Sequence, residues 1–199
     1  MIAVSKFHPT EALLEAYEAG QRDFGESRVQ ELSVKAPSLP HDIRWHFIGH
    51  LQTNKVKQAV AHADMIQSVD SLRLLRFIDS EAAKRDKTMD ILLQVHVAEE
   101  ETKTGFMPEE LPEIISEAYG LEHVRLRGIM GMATNTDENE RIRSDFRMLK
   151  DCFDKASAQV NSPFFDTLSM GMSEDHAIAI EEGSTMVRIG TDIFGMREY

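Results

Sequence analysis

Two short stretches near the end of the sequence decide the fold that it predicts, Ser169-Met170-Gly171-Met172-Ser173 and Thr185-Met186-Val187-Arg188-Ile189-Gly190-Thr191. The apolar runs at residues 164–170 and 185–189 are typical of buried strands, and each leads directly into Gly, Ser or Thr. Glycines let backbone N–H groups approach a ligand closely, and hydroxyl groups add donors. In a βα barrel the loops after strands seven and eight usually form a phosphate site. If these runs are strands seven and eight, the sequence predicts a ligand that carries a phosphate.

Strand-like and helix-like stretches alternate along the whole sequence. The predicted strands cover residues 1–5, 22–25, 45–49, 65–69, 89–97, 124–130, 164–170 and 185–189. The predicted helices cover residues 10–19, 54–63, 71–84, 108–119, 137–160 and 174–182, with one more beginning at Ser27. Thr10 is the predicted N-cap of the first helix, and Asp70 or Ser71 that of the fourth.

Eight strands with seven helices between them predict right-handed crossovers and a parallel sheet. We expect residues 1–199 to form a single domain, a closed (βα)8 barrel, and a doubly wound open sheet is the alternative. The chain is short for such a barrel, which typically has about 250 residues. Because little sequence follows the eighth strand, we expect no eighth helix over the seam between the first and last strands.

Composition excludes several classes of protein. No apolar run approaches the roughly 18 residues that a membrane span needs, and the first residues lack the layout of a signal peptide. The net charge of −12 argues against nucleic-acid binding, which depends on Lys and Arg neutralising phosphates. The single cysteine, Cys152, excludes an internal disulfide and fits a reducing compartment. We therefore expect a cytoplasmic protein that binds neither membrane nor nucleic acid.

Lys6 stands directly after the first predicted strand. A lysine at the carboxyl end of a barrel strand can face the ligand mouth, and partial desolvation helps it to form a Schiff base with an aldehyde. A solvated surface lysine is the alternative. Together with the predicted phosphate site, Lys6 points to pyridoxal 5′-phosphate (PLP), which carries both an aldehyde and a phosphate.

Arg188 lies on the eighth predicted strand, where a buried guanidinium needs a partner. It could donate to the pyridine nitrogen of PLP or form an ion pair with one of the acidic residues. His46 and His50 are four residues apart, a spacing that binds metals on a helix. Since a strand is predicted here and ends at Gly49, we expect no metal site.

Several pieces of the sequence, taken in order, resemble one protein family. They are residues 3–6, 24–26, 29–31, 45–52, 54–55, 68–70, 127–130, 168–173, 183–190 and 193–195, with Lys103, Gly105 and Asp175. Over residues 3–199 the sequence resembles the pyridoxal 5′-phosphate homeostasis protein family, which is related to the N-terminal barrel of alanine racemase. Each piece alone is a weak signal, but all of them in this order are highly specific.

The resemblance implies a (βα)8 barrel of the alanine racemase N-terminal type with PLP bound to Lys6. The family has a further helix before the lysine strand, so a barrel without this N-terminal helix is expected. The cofactor-binding residues that the resemblance implies are Lys6, Ser27, Met170, Ser173, Arg188, Gly190 and Thr191. Arg188 would face the pyridine nitrogen, and Ser173, Gly190 and Thr191 would contact the phosphate. Ser27 stands where the family usually has Asn, and serine reaches less far.

Two classes of function compete. The first is a carrier that binds PLP and serves the homeostasis of PLP and amino acids, with PLP-dependent apo-enzymes as partners and a monomeric state. The second is a PLP-dependent amino-acid racemase, which needs acid–base groups on both faces of the substrate carbon. In alanine racemase one of these groups is a tyrosine from a second domain, whereas the tyrosines here are Tyr17, Tyr119 and Tyr199. We therefore expect the carrier, and a sugar-phosphate enzyme without cofactor is the remaining alternative.

Overall fold

Eight parallel strands form a closed barrel in this computed structural model, which describes residues 1–100 and 104–196. The strands are β1 (Ile2–Val4), β2 (Asp23–Glu26), β3 (Arg44–Phe47), β4 (Met65–Val69), β5 (Met89–Val95), β6 (Val124–Gly131), β7 (Thr167–Met172) and β8 (Met186–Ile189). The helices are α1 (Thr10–Glu18), α2 (Val29–Lys35), α3 (Val56–His62), α4 (Leu72–Ala83), α5 (Leu111–Tyr119), α6 (Asn139–Val160), α7 (His176–Glu181) and α8 (Thr191–Phe194). Short 3-10 turns add residues 36–38, 53–55 and 108–110.

The closure of the barrel confirms the predicted (βα)8 fold. β1 pairs in parallel with β2 on one side and with β8 on the other, where Ile2 lies opposite Arg188 and Ala3 opposite Ile189. The open-sheet alternative is therefore wrong. Because β7 pairs with β8 and β8 with β1, the loops after these three strands are neighbours at the carboxyl end of the barrel.

Most predicted boundaries lie within two residues of those observed, but the predictions for the N-cap of the first helix and for the start of strand seven are wrong. Thr10 is not an N-cap but the first residue of α1, because Pro9, with its ψ of 160°, forms the extended residue before the helix. Strand seven begins at Thr167 rather than at residue 164 and continues to Met172. Residues 163–164 form a turn, and the side chain of Phe164 is 54% exposed.

The expectation that no eighth helix follows β8 is also wrong. α8 begins directly after Gly190 and has four residues, too few to show a helical period in the sequence. Its Ile193 and Phe194 pack against the main hydrophobic core. The ring of Phe194 also stacks on His8, at 5.0 Å between centroids, so α8 covers the seam between β8 and the loop after β1.

The main core lies between the barrel and the surrounding helices, and α4 shows how the sequence builds it. Of the two predicted caps, Ser71 is the one used, since its Oγ accepts the Leu74 N–H at 3.3 Å. The buried face of α4 then consists of Leu74 and Leu75, followed by Ile78 and Ala82 at helical spacing. A second, small cluster of Met65, Leu92 and Met130 is separate from the main core. None of the helices among the described residues is long and apolar enough to cross a membrane.

Candidate functional site

Lys6 lies in the turn after β1, at the carboxyl end of the barrel, and it is half-buried. The next residue, Phe7, has a φ of 69°, a left-handed conformation that is rare outside glycine. The Phe7 amide donates a hydrogen bond to Glu31 Oε2 at 2.7 Å, and the Arg28 guanidinium lies 4.4 Å from the centre of the Phe7 ring. The backbone that carries Lys6 is therefore held by side chains from α2 and its N-terminal flank.

Four side chains beneath this turn form what we call the Lys35 cluster: Ser5, Glu26, Glu31 and Lys35. The Lys35 ammonium donates to Ser5 O at 2.9 Å, to Glu26 Oε1 at 2.8 Å and to Glu31 Oε2 at 3.0 Å. The Ser5 hydroxyl donates to the same Glu26 oxygen at 2.7 Å. Of these contacts only the pair of Glu31 and Lys35, four residues apart on α2, has a spacing that can be recognised in the sequence.

Burial and hydrogen bonding act in opposite directions on the two carboxyl groups of the Lys35 cluster, and the outcome differs between them. Burial raises the pKa of Glu26, and the hydrogen bond and charge of Lys35 oppose that rise only in part. Burial alone would also raise the pKa of Glu31. The hydrogen bonds from the Phe7 amide and from Lys35 outweigh burial and lower the pKa of this carboxyl. The Lys35 side chain is only 8% exposed, so removing its charge would leave Glu26 buried without a cation.

The loops after β7 and β8 meet through Ser173 and Gly190. The Gly190 amide donates to Ser173 Oγ at 3.3 Å, and Thr191, the next residue, is exposed as the first residue of α8. Gly171 directs β7 into this loop with a φ of +97°, and a Cβ there would lie 2.6 Å from the Cβ of Ala179. The three residues predicted to contact a phosphate are therefore brought together.

Arg188 is buried on β8, with 5% of its surface exposed. Its Nη1 donates to Ser169 Oγ at 2.6 Å and its Nη2 to Gly131 O at 3.0 Å. Burial lowers the pKa of the guanidinium to about 10, although the charge of Asp175 opposes the change, so the group stays cationic at neutral pH. Among the described residues the acceptors of the Arg188 guanidinium are thus a hydroxyl and a backbone oxygen, and the structure does not show the ion pair of the alternative interpretation.

Ser27 and Met170, the two remaining residues of the predicted cofactor site, lie in different environments. Ser27 is half-buried in the loop after β2, and a Cβ on Gly49 would lie 2.2 Å from its backbone oxygen, so the loops after β2 and β3 touch there. Met170 is fully buried, and its side chain belongs to the main core. Its backbone oxygen accepts the Ser184 hydroxyl at 2.7 Å. The Met170 side chain is therefore directed away from the mouth of the barrel.

The two histidines that drew attention in the sequence lie in different environments. His46 is 5% exposed and hydrogen-bonds within the barrel, whereas His50 is exposed and lies 3.0 Å from Asp70 Oδ2. In residues 1–100 and 104–196 no three His, Cys, Asp or Glu side chains are grouped as metal ligands. Cys152 is buried on α6, and burial raises the pKa of its thiol. Lys103, one of the residues on which the family resemblance rests, and Tyr199 lie outside the described residues.

Comparison with known proteins identifies the family. The alanine racemase N-terminal domain family matches residues 1–198. A pyridoxal phosphate homeostasis protein of Aquifex aeolicus (strain VF5) is 40% identical over 200 residues, which cover 100% of this chain and 87% of that protein. The chain belongs to the pyridoxal phosphate homeostasis protein family. This membership confirms the resemblance found in the sequence.

Solved structures agree with this family. The structure of PipY from Synechococcus elongatus PCC7942 without PLP has a TM-score of 0.93 and 38% identity, covering 98% of this chain and 91% of that one. The structure of PipY with PLP bound has a TM-score of 0.89 over the same shares of the two chains. Alanine racemase from Streptomyces coelicolor A3(2) has 17% identity and a TM-score of 0.80, and the match covers 98% of this chain and 54% of the racemase chain. That last likeness shows the fold alone.

Proposed function

We propose that this protein binds PLP and serves in PLP homeostasis, with Lys6 holding the PLP as a Schiff base. The observation that carries the proposal is that three strands, β7, β8 and β1, lie side by side in the barrel. They bring Lys6, Arg188 and the contact between Ser173 and Gly190 to neighbouring positions. PipY, a relative with 38% identity, has a solved structure with PLP bound. Homologues of the same length range are named for PLP homeostasis.

The residues at this end of the barrel fit the chemistry of PLP. The Ser173 hydroxyl and the Thr191 backbone offer donors to a phosphate, while the Gly190 amide donates to the Ser173 oxygen beside them. Charge-assisted hydrogen bonds of this kind are the strong ones. The Arg188 guanidinium, cationic and desolvated, suits an aromatic ring nitrogen that accepts. When bound, PLP would supply an aldehyde to which a lysine amine can attach. Lys6 would provide the amine, and Ser27 would lie beside the ring.

The carrier fits better than the racemase because of where the tyrosines lie. Tyr17 is on α1, and its hydroxyl donates to Asp42 Oδ1 at 2.8 Å, in the segment that leads into the start of β3. Tyr119 is the last residue of α5, before the start of β6. Both are at the end of the barrel opposite to Lys6. Among the described residues, then, no tyrosine is available as the second acid–base group.

The proposal includes partners and location. Because a carrier has to give up its ligand, PLP-dependent apo-enzymes are the proposed recipients, and we propose that the protein acts as a monomer. The single cysteine favours a reducing compartment, so we place the protein in the cytoplasm.

Absorption spectra with borohydride trapping test the proposal. PLP added to the purified protein should give a visible band that borohydride abolishes, and mass mapping should find the reduced adduct on Lys6. Lys6→Ala should lose the band, whereas the matched variant Lys55→Ala, in the turn before α3, should keep it. An adduct on another lysine would refute the assignment of Lys6, and no uptake of PLP by the wild type would refute the function.

A further inference from the structure

Five polar side chains form a continuous series of hydrogen bonds across the barrel, which we call the interior network: Arg188, Ser169, Gln67, His46 and Asp23. Arg188 Nη1 lies 2.6 Å from Ser169 Oγ, and Ser169 Oγ lies 2.7 Å from Gln67 Oε1. Gln67 Nε2 lies 3.1 Å from His46 Nδ1, and His46 Nε2 lies 3.2 Å from Asp23 Oδ1. The network therefore joins Arg188, one residue before the end of β8, to Asp23, the first residue of β2.

The Arg188 end fixes the direction of these hydrogen bonds. A guanidinium can only donate, so the Ser169 oxygen must accept from Arg188. The Ser169 hydroxyl then has its own hydrogen to donate, and Gln67 Oε1 is its acceptor. With its oxygen used in this way, the Gln67 amide turns its nitrogen toward His46 Nδ1, which must accept.

The Asp23 end requires the same direction. Burial alone would raise the pKa of Asp23, but hydrogen bonds from Arg44 and His46 outweigh it and hold the pKa well below its usual range. Asp23 is therefore a carboxylate that only accepts, and Arg44 Nε donates to its Oδ1 at 2.6 Å. His46 then carries its hydrogen on Nε2, facing Asp23. Every hydrogen bond of the network runs in one sense, from Arg188 to Asp23.

Burial makes this direction hard to reverse. Ser169 and Gln67 are fully buried, and His46 is 5% exposed. A reversed Gln67 amide would direct its NH2 group at the Ser169 oxygen and its oxygen at His46 Nδ1. At positions buried this deeply such a mismatch leaves polar groups without a hydrogen-bond partner, which is costly.

We propose that Gln67 and His46 are positioning residues for the cofactor ring, acting on Arg188 through Ser169. They keep the Ser169 oxygen turned toward Arg188 as an acceptor, while Gly131 O holds the other guanidinium nitrogen. Together the two acceptors fix the plane of the guanidinium. The proposal rests on the proposed function, since it takes PLP as the ligand whose ring nitrogen meets Arg188.

Nuclear magnetic resonance of the unloaded wild-type protein tests the direction of the network without any ligand. Nitrogen-15 shifts should show a hydrogen on His46 Nε2 and none on Nδ1, and Gln67→Met should move the side-chain signals of Arg188. The matched control is Gln94→Met, because Gln94 is also buried but donates to Thr104 O at 2.7 Å, outside the network. A hydrogen on His46 Nδ1, or Arg188 signals that respond equally to both variants, would overturn the proposal.

Equilibrium dialysis against PLP tests the positioning role. Gln67→Met should raise the Kd about three- to tenfold, as for the loss of one supporting hydrogen bond, whereas Gln94→Met should leave it within about twofold. Equal Kd values for the wild type and Gln67→Met would overturn the positioning role while leaving PLP binding intact. If the wild type does not bind PLP, the proposed function is refuted instead. The nuclear magnetic resonance experiment on the unloaded protein would still decide whether the hydrogen bonds of the network have this direction.

Discussion

The ammonium group of Lys35 lies 2.9 Å from the backbone oxygen of Ser5, the residue that precedes Lys6. On the other side of Lys6, the Phe7 amide is held by Glu31, which also accepts from Lys35. A buried charged cluster thus holds the turn that carries the proposed cofactor lysine on both sides of Lys6. Buried ion clusters contribute little net stability, but breaking one by removing a single partner is strongly destabilising.

We predict that Lys35→Met lowers the free energy of unfolding by about 3–5 kcal/mol, because it leaves the buried Glu26 carboxylate without its cation. Urea unfolding followed by circular dichroism measures the change. Adding Glu26→Gln to Lys35→Met should recover part of the loss, since the second change removes the uncompensated charge.

Lys84→Met is the control for this experiment. Lys84 pairs with Glu81 on the surface and its side chain is 62% exposed, so its loss should change stability by at most about 0.5 kcal/mol. Equal effects of the two lysine variants would contradict the role given to the Lys35 cluster.

The barrel was predictable because its signal is local. Most strands are short apolar runs that end near a turn residue, and each of α1 to α7 has a stretch long enough to be recognised. α8 was missed because its four residues give no period, and its stability comes from the packing of Ile193 and Phe194. The start of strand seven was misplaced because Phe164 continues an apolar run although its side chain is exposed.

The candidate site was predictable only in part. Lys6, Ser173, Gly190 and Thr191 each follow a strand, so their meeting at one end of the barrel follows from the fold. The interior network could not be inferred in this way, since Gln67 and Ser169 are 102 residues apart and their pairing depends on which faces of β4 and β7 point inward. The contacts of Lys35 with Ser5 likewise span 30 residues.

Asp23 should make stability depend on pH in the acid range. Its folded-state pKa lies below the value of about 3.9 usual for an unfolded chain, so its contribution is present above that value and is lost as pH falls. We predict that Asp23→Asn is less stable than the wild type by about 1–2 kcal/mol at pH 7 and that the difference becomes progressively smaller as the pH falls below about 4.

Urea unfolding at pH 7, 5, 3 and 2 measures this dependence, with the exposed Asp137→Asn as control. The control should follow the wild-type curve. A constant difference between Asp23→Asn and the wild type at every pH would show that the carboxylate charge is not the cause.

We predict that the PLP-loaded protein does not exchange the α hydrogen of L-alanine faster than free PLP does. Tyr17 is held by Asp42, whose hydrogen bond raises the pKa of the phenol, and it lies at the opposite end of the barrel from Lys6. Proton nuclear magnetic resonance spectroscopy in deuterated water measures the exchange, with an alanine racemase as positive control. Rapid exchange with accumulation of D-alanine would make the protein a racemase.

The last prediction concerns the phosphate. Because Ser173 Oγ accepts from Gly190, its hydroxyl hydrogen can donate to a phosphate oxygen, and a hydrogen bond to a charged group contributes roughly 1.5–3 kcal/mol. Ser173→Ala should therefore raise the Kd for PLP about tenfold or more, whereas Ser80→Ala, an exposed serine of α4, should not change it. Equilibrium dialysis with PLP and with pyridoxal, which lacks the phosphate, separates the contributions. Pyridoxal should bind the wild type more weakly than PLP does, and Ser173→Ala should not weaken it further. If the serine variant weakens both ligands equally, Ser173 acts on the fold of the loop and not on the phosphate.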